Sequence, residues 1–259
     1  MSGATPLRWF GLAAALSTAC VGSVRSAEPS TPDAQAAAPA SAPAPAAPEP
    51  PAPVVAEARA EATVLRLIPR AAWGAKPAKT DGLRPHTIAH LTVHHSASFA
   101  GDVAGAAKRV RGYQSFHQSK GFPDIAYHYI IDRGGNIFEG RDVGVAGSTF
   151  TAYDPAGHFL ALLDGNYEEQ APTSQQLDAL AALLAWGSQH FRVSTATIGM
   201  HKDYASTACP GKNVEPYVRD GRLRAAVDAV LAKGAVSLVP FTEEEGRRAI
   251  AAAVETPKP

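Results

Sequence analysis

Residues 28–62 are dominated by Ala and Pro, as in Ala40-Ser41-Ala42-Pro43-Ala44-Pro45. Such a stretch cannot bury enough apolar surface to offset the entropy of ordering its chain. It reads as a disordered linker, extended and semi-rigid. Whatever folds must lie outside it. Within a chain of 259 residues, the part beyond the linker suits one ordinary domain. That domain is expected at residues 63–235. Residues 236–259 are expected to form a C-terminal tail, with a short, weakly apolar helix over Thr242–Val254.

Upstream of the linker, Arg8 precedes an apolar run from Trp9 to Val21, broken by Gly11, Ser17 and Thr18. The run is short for a permanent membrane helix, and the polar sequence after it offers nothing to pack on. Residues 1–27 therefore read as an export signal. Leu16-Ser17-Thr18-Ala19 before Cys20 resembles a bacterial lipoprotein processing site, with the aliphatic residue one position early. Two expectations follow: a lipid on Cys20 that anchors the protein to a membrane face, or ordinary cleavage near Ser26 or Ala27. Both give an exported protein of the periplasm, the outer membrane or the wider cell envelope. Lys+Arg and Asp+Glu both number 24, so the basic excess usual in nucleic-acid binders is missing. The only cysteines, Cys20 and Cys209, exclude a disulfide framework.

Within the expected domain, Thr87–His94 alternates and is rich in β-formers, which predicts a strand. Asp102 can cap a helix over Val103–His117. Ala126–Asp132 reads as a second strand, turning at Gly134-Gly135 into Asn136–Glu139 to make a hairpin. His158–Leu163 is a third. Thr173-Ser174-Gln175-Gln176 fits a capping box before a helix presenting Leu177, Leu180, Ala181 and Leu184. Asp220 opens a last helix, closed by Gly234. Strands interleave with helices, so the class is α/β with a central sheet flanked by helices.

Three places can carry chemistry. Val93-His94-His95-Ser96 ends a strand, where neighbouring side chains point to opposite faces. His201 follows the apolar Ile198-Gly199-Met200. Cys209 lies in Thr207-Ala208-Cys209-Pro210-Gly211, a loop where a packing cysteine has little reason to be. Zinc takes imidazole nitrogen and thiolate sulfur, and a catalytic site keeps three protein ligands and one open position. Two histidines and a cysteine from two strand ends and a loop suit that role. They equally suit unrelated lives as a surface histidine, a capping histidine and a free thiol.

The order of motifs adds to this. Arg70-Ala71-Ala72-Trp73-Gly74-Ala75 is followed by Thr92-Val93-His94-His95-Ser96-Ala97. His117, Gly121-Phe122 and Tyr127-His128-Tyr129-Ile130-Ile131 come next. Phe138-Glu139-Gly140-Arg141, His201 and Thr207-Ala208-Cys209-Pro210 close the set. From about Leu67 to Val230 the chain resembles the zinc amidase family that includes phage amidase-lysozymes and the peptidoglycan recognition proteins. The resemblance implies a single domain of that kind with a mixed central sheet. It also implies Zn2+ on His94, His201 and Cys209, with His95 turned away into packing or a supporting bond. Tyr127 matches a catalytic tyrosine of the family, and Thr207 a position that is Thr or Lys in active members. Residue by residue, the bland roles are a core aromatic for Tyr127, a hydroxyl bonding its own loop for Thr207, and packing for His128. Tyr129, two residues beyond Tyr127, is expected on the same side.

The chain departs from the pattern at Gly147-Ser148-Thr149 and Tyr153-Asp154, where many members have a histidine after the small residues and Tyr-Asn. Gly157-His158 replaces a common Ile-Gly. The resulting expectation is N-acetylmuramoyl-L-alanine amidase activity: zinc-dependent hydrolysis of the amide between N-acetylmuramic acid and L-Ala. The partners would be peptidoglycan or muropeptides, and the enzyme a monomer. The alternative is a non-catalytic peptidoglycan-binding recognition module, a kind of relative that usually lacks the cysteine. A structural zinc protein is a third reading, and it would need a fourth protein ligand.

Overall fold

The computed structural model describes residues 62–255. The expected export segment, Cys20 and residues 28–61 lie outside the described residues. Seven strands form one sheet: β1 (Thr63–Ile68), β2 (His90–His95), β3 (Tyr129–Ile131), β4 (Ile137–Glu139), β5 (His158–Leu163), β6 (Ile198–Met200) and β7 (Val236–Pro240). Their order across the sheet is β6-β2-β5-β3-β4-β1-β7. The β3–β4 hairpin is antiparallel and every other pairing is parallel. The class is the expected one, a mixed central sheet with helices on it.

Strand parity sorts the core into two faces. Leu91 and Val93 of β2 join Phe159, Ala161 and Leu163 of β5 on one face, under helices α3 (Ser174–Phe191) and α5 (Arg222–Ala232). Ile130, Phe138 and Leu162 face the other way. There they meet Trp73 of the short helix α1 (Arg70–Trp73) and Ala106, Ala107 and Val110 of helix α2 (Ala106–Ser119). Because His94 is even and His95 odd along β2, one turns to the α2 face and the other to the α3 face.

α3 begins as the sequence implies. Thr173 Oγ1 accepts the Gln176 N–H at 3.1 Å, and Gln176 Oε1 accepts the Thr173 N–H at 3.3 Å. α2 starts later than expected. The Asp102 carboxylate closes a turn onto the Gly105 N–H at 2.9 Å, so the helix begins at Ala106. α2 is then clamped to the end of β5. Tyr113 Oη and Arg109 Nε donate to Asp164, at 2.6 and 2.8 Å, and Asp164 is fully buried.

β3 is shorter than the expected Ala126–Asp132. The Leu160 N–H donates to His128 Nδ1 at 2.9 Å rather than to a backbone carbonyl, and the ladder resumes at Tyr129. The side chain occupies a place in the sheet's bonding, and alternation is lost there. Tyr127 therefore packs with the α2-side core while Tyr129 stacks on Phe159, ring centroids 5.3 Å apart, on the α3 side. The expectation that the two tyrosines share a face is corrected.

Beyond residue 235 the chain adds β7, paired with β1 from Thr63↔Val236 to Leu67↔Pro240. It ends in the helices with α6 (Glu243–Glu255), following the five-residue α4 (Glu215–Arg219) and α5.

Candidate metal centre

β2 and β6 are parallel neighbours with Val93 beside Met200. His94 and His201 therefore leave the sheet together, ring centroids 4.8 Å apart. Asp203 Oδ2 accepts the Met200 N–H at 2.7 Å, which fixes the 3-10 turn that carries His201. Cys209 comes from the following loop, tied back by the Lys202 N–H to its carbonyl at 3.1 Å. That loop presses against Tyr167: a side chain at Gly211 (φ +96°) would put its Cβ 2.5 Å from the Tyr167 carbonyl carbon. Cys209 Sγ reaches 3.6 Å from His94 Nδ1. One donor atom from each of His94, His201 and Cys209 lies within 4.8 Å of the others, and all three residues are buried.

The donor set fits a zinc ion. With Zn–N near 2.0–2.1 Å and Zn–S near 2.3 Å, tetrahedral ligands sit roughly 3.6 Å apart, the spacing seen between His94 Nδ1 and Cys209 Sγ. The other ring nitrogen of His94, Nε2, is buried without a hydrogen-bond partner. Burial, then the neighbouring His201 imidazole, holds the pKa of His94 well below the usual histidine value. Burial lowers that of His201 as well, so both rings are neutral, as ligands must be. Burial pushes the Cys209 thiol up to about 12, opposed in part by the His95 N–H. A bare thiolate is disfavoured there, so a metal would have to displace the proton. The His95 N–H meets Cys209 Sγ at 3.4 Å, and His95 Nδ1 accepts the Tyr167 N–H at 3.3 Å. His95 thus supports the sulfur through its backbone while its ring is anchored on Tyr167.

The three donors line a cavity of about 380 Å³ that also takes in Tyr127, Thr207, His117, Thr149 and Phe150. None of the lining side chains is a carboxylate, ammonium or guanidinium, so a guest is oriented by hydrogen bonds and aromatic contact. The Tyr127 ring sits 5.2 Å from that of His94. Burial raises its pKa well above the usual phenol value, which keeps the hydroxyl a donor. Thr207 Oγ1 accepts the Cys209 N–H at 3.3 Å, the local loop bond that its bland role describes. Its own hydrogen remains for another acceptor.

Residues 84–212 match the family model described as N-acetylmuramoyl-L-alanine amidase. This domain belongs to the N-acetylmuramoyl-L-alanine amidase family. Peptidoglycan-recognition protein SC2 of Drosophila melanogaster is 29% identical over 156 residues, 59% of this chain and 84% of that one. Among solved structures, Drosophila peptidoglycan recognition protein SD aligns with a TM-score of 0.56 at 28% identity, covering 60% of this chain and 94% of that one. Peptidoglycan recognition protein LE, solved in complex with tracheal cytotoxin, aligns with a TM-score of 0.54 at 28% identity, over 60% and 92%.

In this amidase-family domain some neighbours of the donors were not singled out for a role by sequence. Thr151, with Thr149, contacts the outer nitrogen of His201, and an isolated threonine in a loop carries no signal of that. Phe150 lines the cavity and is exposed, stacked on Phe122 with centroids 4.5 Å apart. His128 bridges the Leu160 N–H and the Val145 carbonyl. His158, the other departure, bonds Thr92 Oγ1 at 2.8 Å and stacks on His90.

Proposed function

We propose that the protein is a zinc-dependent N-acetylmuramoyl-L-alanine amidase that hydrolyses the amide between N-acetylmuramic acid and L-Ala in peptidoglycan or its fragments. The observation that carries this is the complete donor triad, His94, His201 and Cys209, opening on one cavity with the unionised hydroxyls of Tyr127 and Thr207. Three protein donors leave one position open, the pattern of catalytic rather than structural zinc sites. A zinc ion held there supplies Lewis acidity toward the lactyl carbonyl and lowers the pKa of attacking water.

The chain's own groups do the rest. The Tyr127 hydroxyl donates to the oxygen on which negative charge develops, and Thr207 Oγ–H adds a second donor from the loop that carries Cys209. His117 accepts the Ala126 N–H on Nδ1 at 3.1 Å. Its Nε2 therefore carries the hydrogen and can donate to a guest carbonyl. The likeness to a protein solved with tracheal cytotoxin, a monomeric diaminopimelic acid-type peptidoglycan, supports muropeptides as the guest. The export-type segment at residues 1–27 supports an enzyme acting on wall or periplasmic fragments. A lipid on Cys20 and a monomeric state belong to the same proposal.

Purified full-length protein is incubated with peptidoglycan, with and without chelator, and the products are read by mass spectrometry. Stem peptides beginning with L-Ala, lost with chelator and regained with zinc, are the expected outcome. Wall binding without such peptides would replace this reading with that of a recognition module.

A further inference from the structure

The loop in which this chain departs from its family's pattern lines the cavity and touches His201. His201 Nε2 lies 2.8 Å from Thr151 Oγ1 and 3.4 Å from Thr149 Oγ1. The two hydroxyls are 2.8 Å apart, and Thr149 Oγ1 accepts the Thr151 backbone N–H at 3.1 Å.

Counting hydrogens gives this cluster a direction. A neutral imidazole carries one ring hydrogen. Placed on Nε2, it donates to Thr151 Oγ1. The Thr151 hydroxyl hydrogen then passes to Thr149 Oγ1, which takes it beside the Thr151 amide hydrogen and so fills both its lone pairs. Placed on Nδ1 instead, the hydrogen would leave His201 with no lone pair for the His94–Cys209 cluster, since Nε2 is already spent on Thr151. The ring also neighbours Cys209, whose donor atom lies within 4.8 Å, and the rings of Tyr153 and His94, at 5.1 and 4.8 Å between centroids. The hydroxyls alone are hydrogen-bonded to Nε2.

We propose that Thr151, backed by Thr149, is a positioning residue of the metal centre: its hydroxyl accepts the His201 Nε2 hydrogen, selects that tautomer and leaves Nδ1 as the ligating nitrogen. This rests on the reading of His201 as a zinc ligand. Outer partners of ligating histidines act by fixing tautomer and ring orientation, and losing one typically costs about 10–100-fold in metal affinity.

The test uses the full chain and Thr151→Val, which keeps the shape of the side chain and removes the hydroxyl, with Thr151→Ser to restore it. Zinc affinity is measured by competition with a chromophoric chelator. A fall of about 10–100-fold in Thr151→Val, regained in Thr151→Ser, is expected. The second readout needs no metal. Long-range 1H–15N correlation of the imidazoles in metal-free protein at alkaline pH should show His201 with its hydrogen on Nε2, and a mixture of tautomers in Thr151→Val. Unchanged zinc affinity in Thr151→Val, equal losses in both variants, or an Nδ1–H tautomer in the wild type would each overturn the proposal. Wild-type protein that binds zinc but releases no stem peptides would sink the hydrolytic reading and leave this one standing. Wild-type protein that binds no zinc would sink both.

Discussion

Cys209 and Tyr127 line the same cavity, yet the proposed function gives their atoms different tasks, and two substitutions separate them. In Cys209→Ser the third donor becomes a hydroxyl, a poor zinc ligand at neutral pH. Both bound zinc and stem-peptide release should fall sharply. In Tyr127→Phe the donor triad is untouched. Zinc stoichiometry by atomic emission should stay near one per chain, while kcat falls by about 10²–10³, the usual cost of one donor to a developing oxyanion. A Tyr127→Phe enzyme with unchanged kcat would remove that hydroxyl from the mechanism, and wild-type turnover in Cys209→Ser would remove the sulfur from the ligand set. The sequence could nominate these residues, because they sit in an ordered series of motifs. It could not show the Thr151 contact with His201, which depends on how a loop some fifty residues earlier folds back over β6.

At the level of elements, the legible parts were those whose bonding is local. Thr173 and Gln176 cap α3 through contacts three residues apart, and β5 spans the expected His158–Leu163. Strand parity on β2 separated His94 from His95. The parts that escaped depend on distant partners. β1 and β7 lie at the two ends of the described chain and make sense only once β7 pairs with β1 and β1 with β4. The interruption before β3 exists because the His128 ring takes a bond that a backbone carbonyl would otherwise take. Gly140 belongs to the same corner. A Cβ there would lie 2.3 Å from the Tyr127 carbonyl oxygen and 3.0 Å from that of His128, so the hairpin arm packs directly on the backbone that presents Tyr127. Both contacts are backbone atoms, which cannot rotate aside. Gly140→Ala should therefore lower the urea midpoint by the equivalent of about 1–3 kcal/mol or more. It should also impair turnover through a displaced Tyr127. A stability equal to wild type would show that this corner yields more easily than its packing implies.

Across the whole molecule, several imidazoles away from the donor triad brace the fold as neutral rings, and their protonation contributes to how it responds to acid. His117, His128 and His158 are buried and bonded as neutral rings to Ala126, to Leu160 and Val145, and to Thr92. Burial is the leading cause that lowers their pKa values to about 4, about 3 and about 4, against about 6.5 in an unfolded chain. Between pH 6.5 and about 4 the unfolded state therefore binds more protons than the folded state, and stability must fall as pH falls. Asp132 opposes this. Burial raises its pKa to about 6, so between pH 6 and 3.8 its protonation favours the fold. One carboxyl against these three imidazoles and His95, which burial also lowers to about 4, leaves a net loss on acidification. Thermal melts of metal-free full-length protein from pH 7.5 to 4.5 should show Tm dropping across that window, with metal loss removed as a cause. His128→Gln, which takes out the ring with the lowest pKa of these three, should flatten the slope by close to one proton while lowering Tm at pH 7.5. A Tm independent of pH between 6.5 and 4.5 would mean that these rings accept protons in the folded state, and that the hydrogen bonds through which His128 interrupts β3 and His117 and His158 brace their strands are not held by neutral imidazoles.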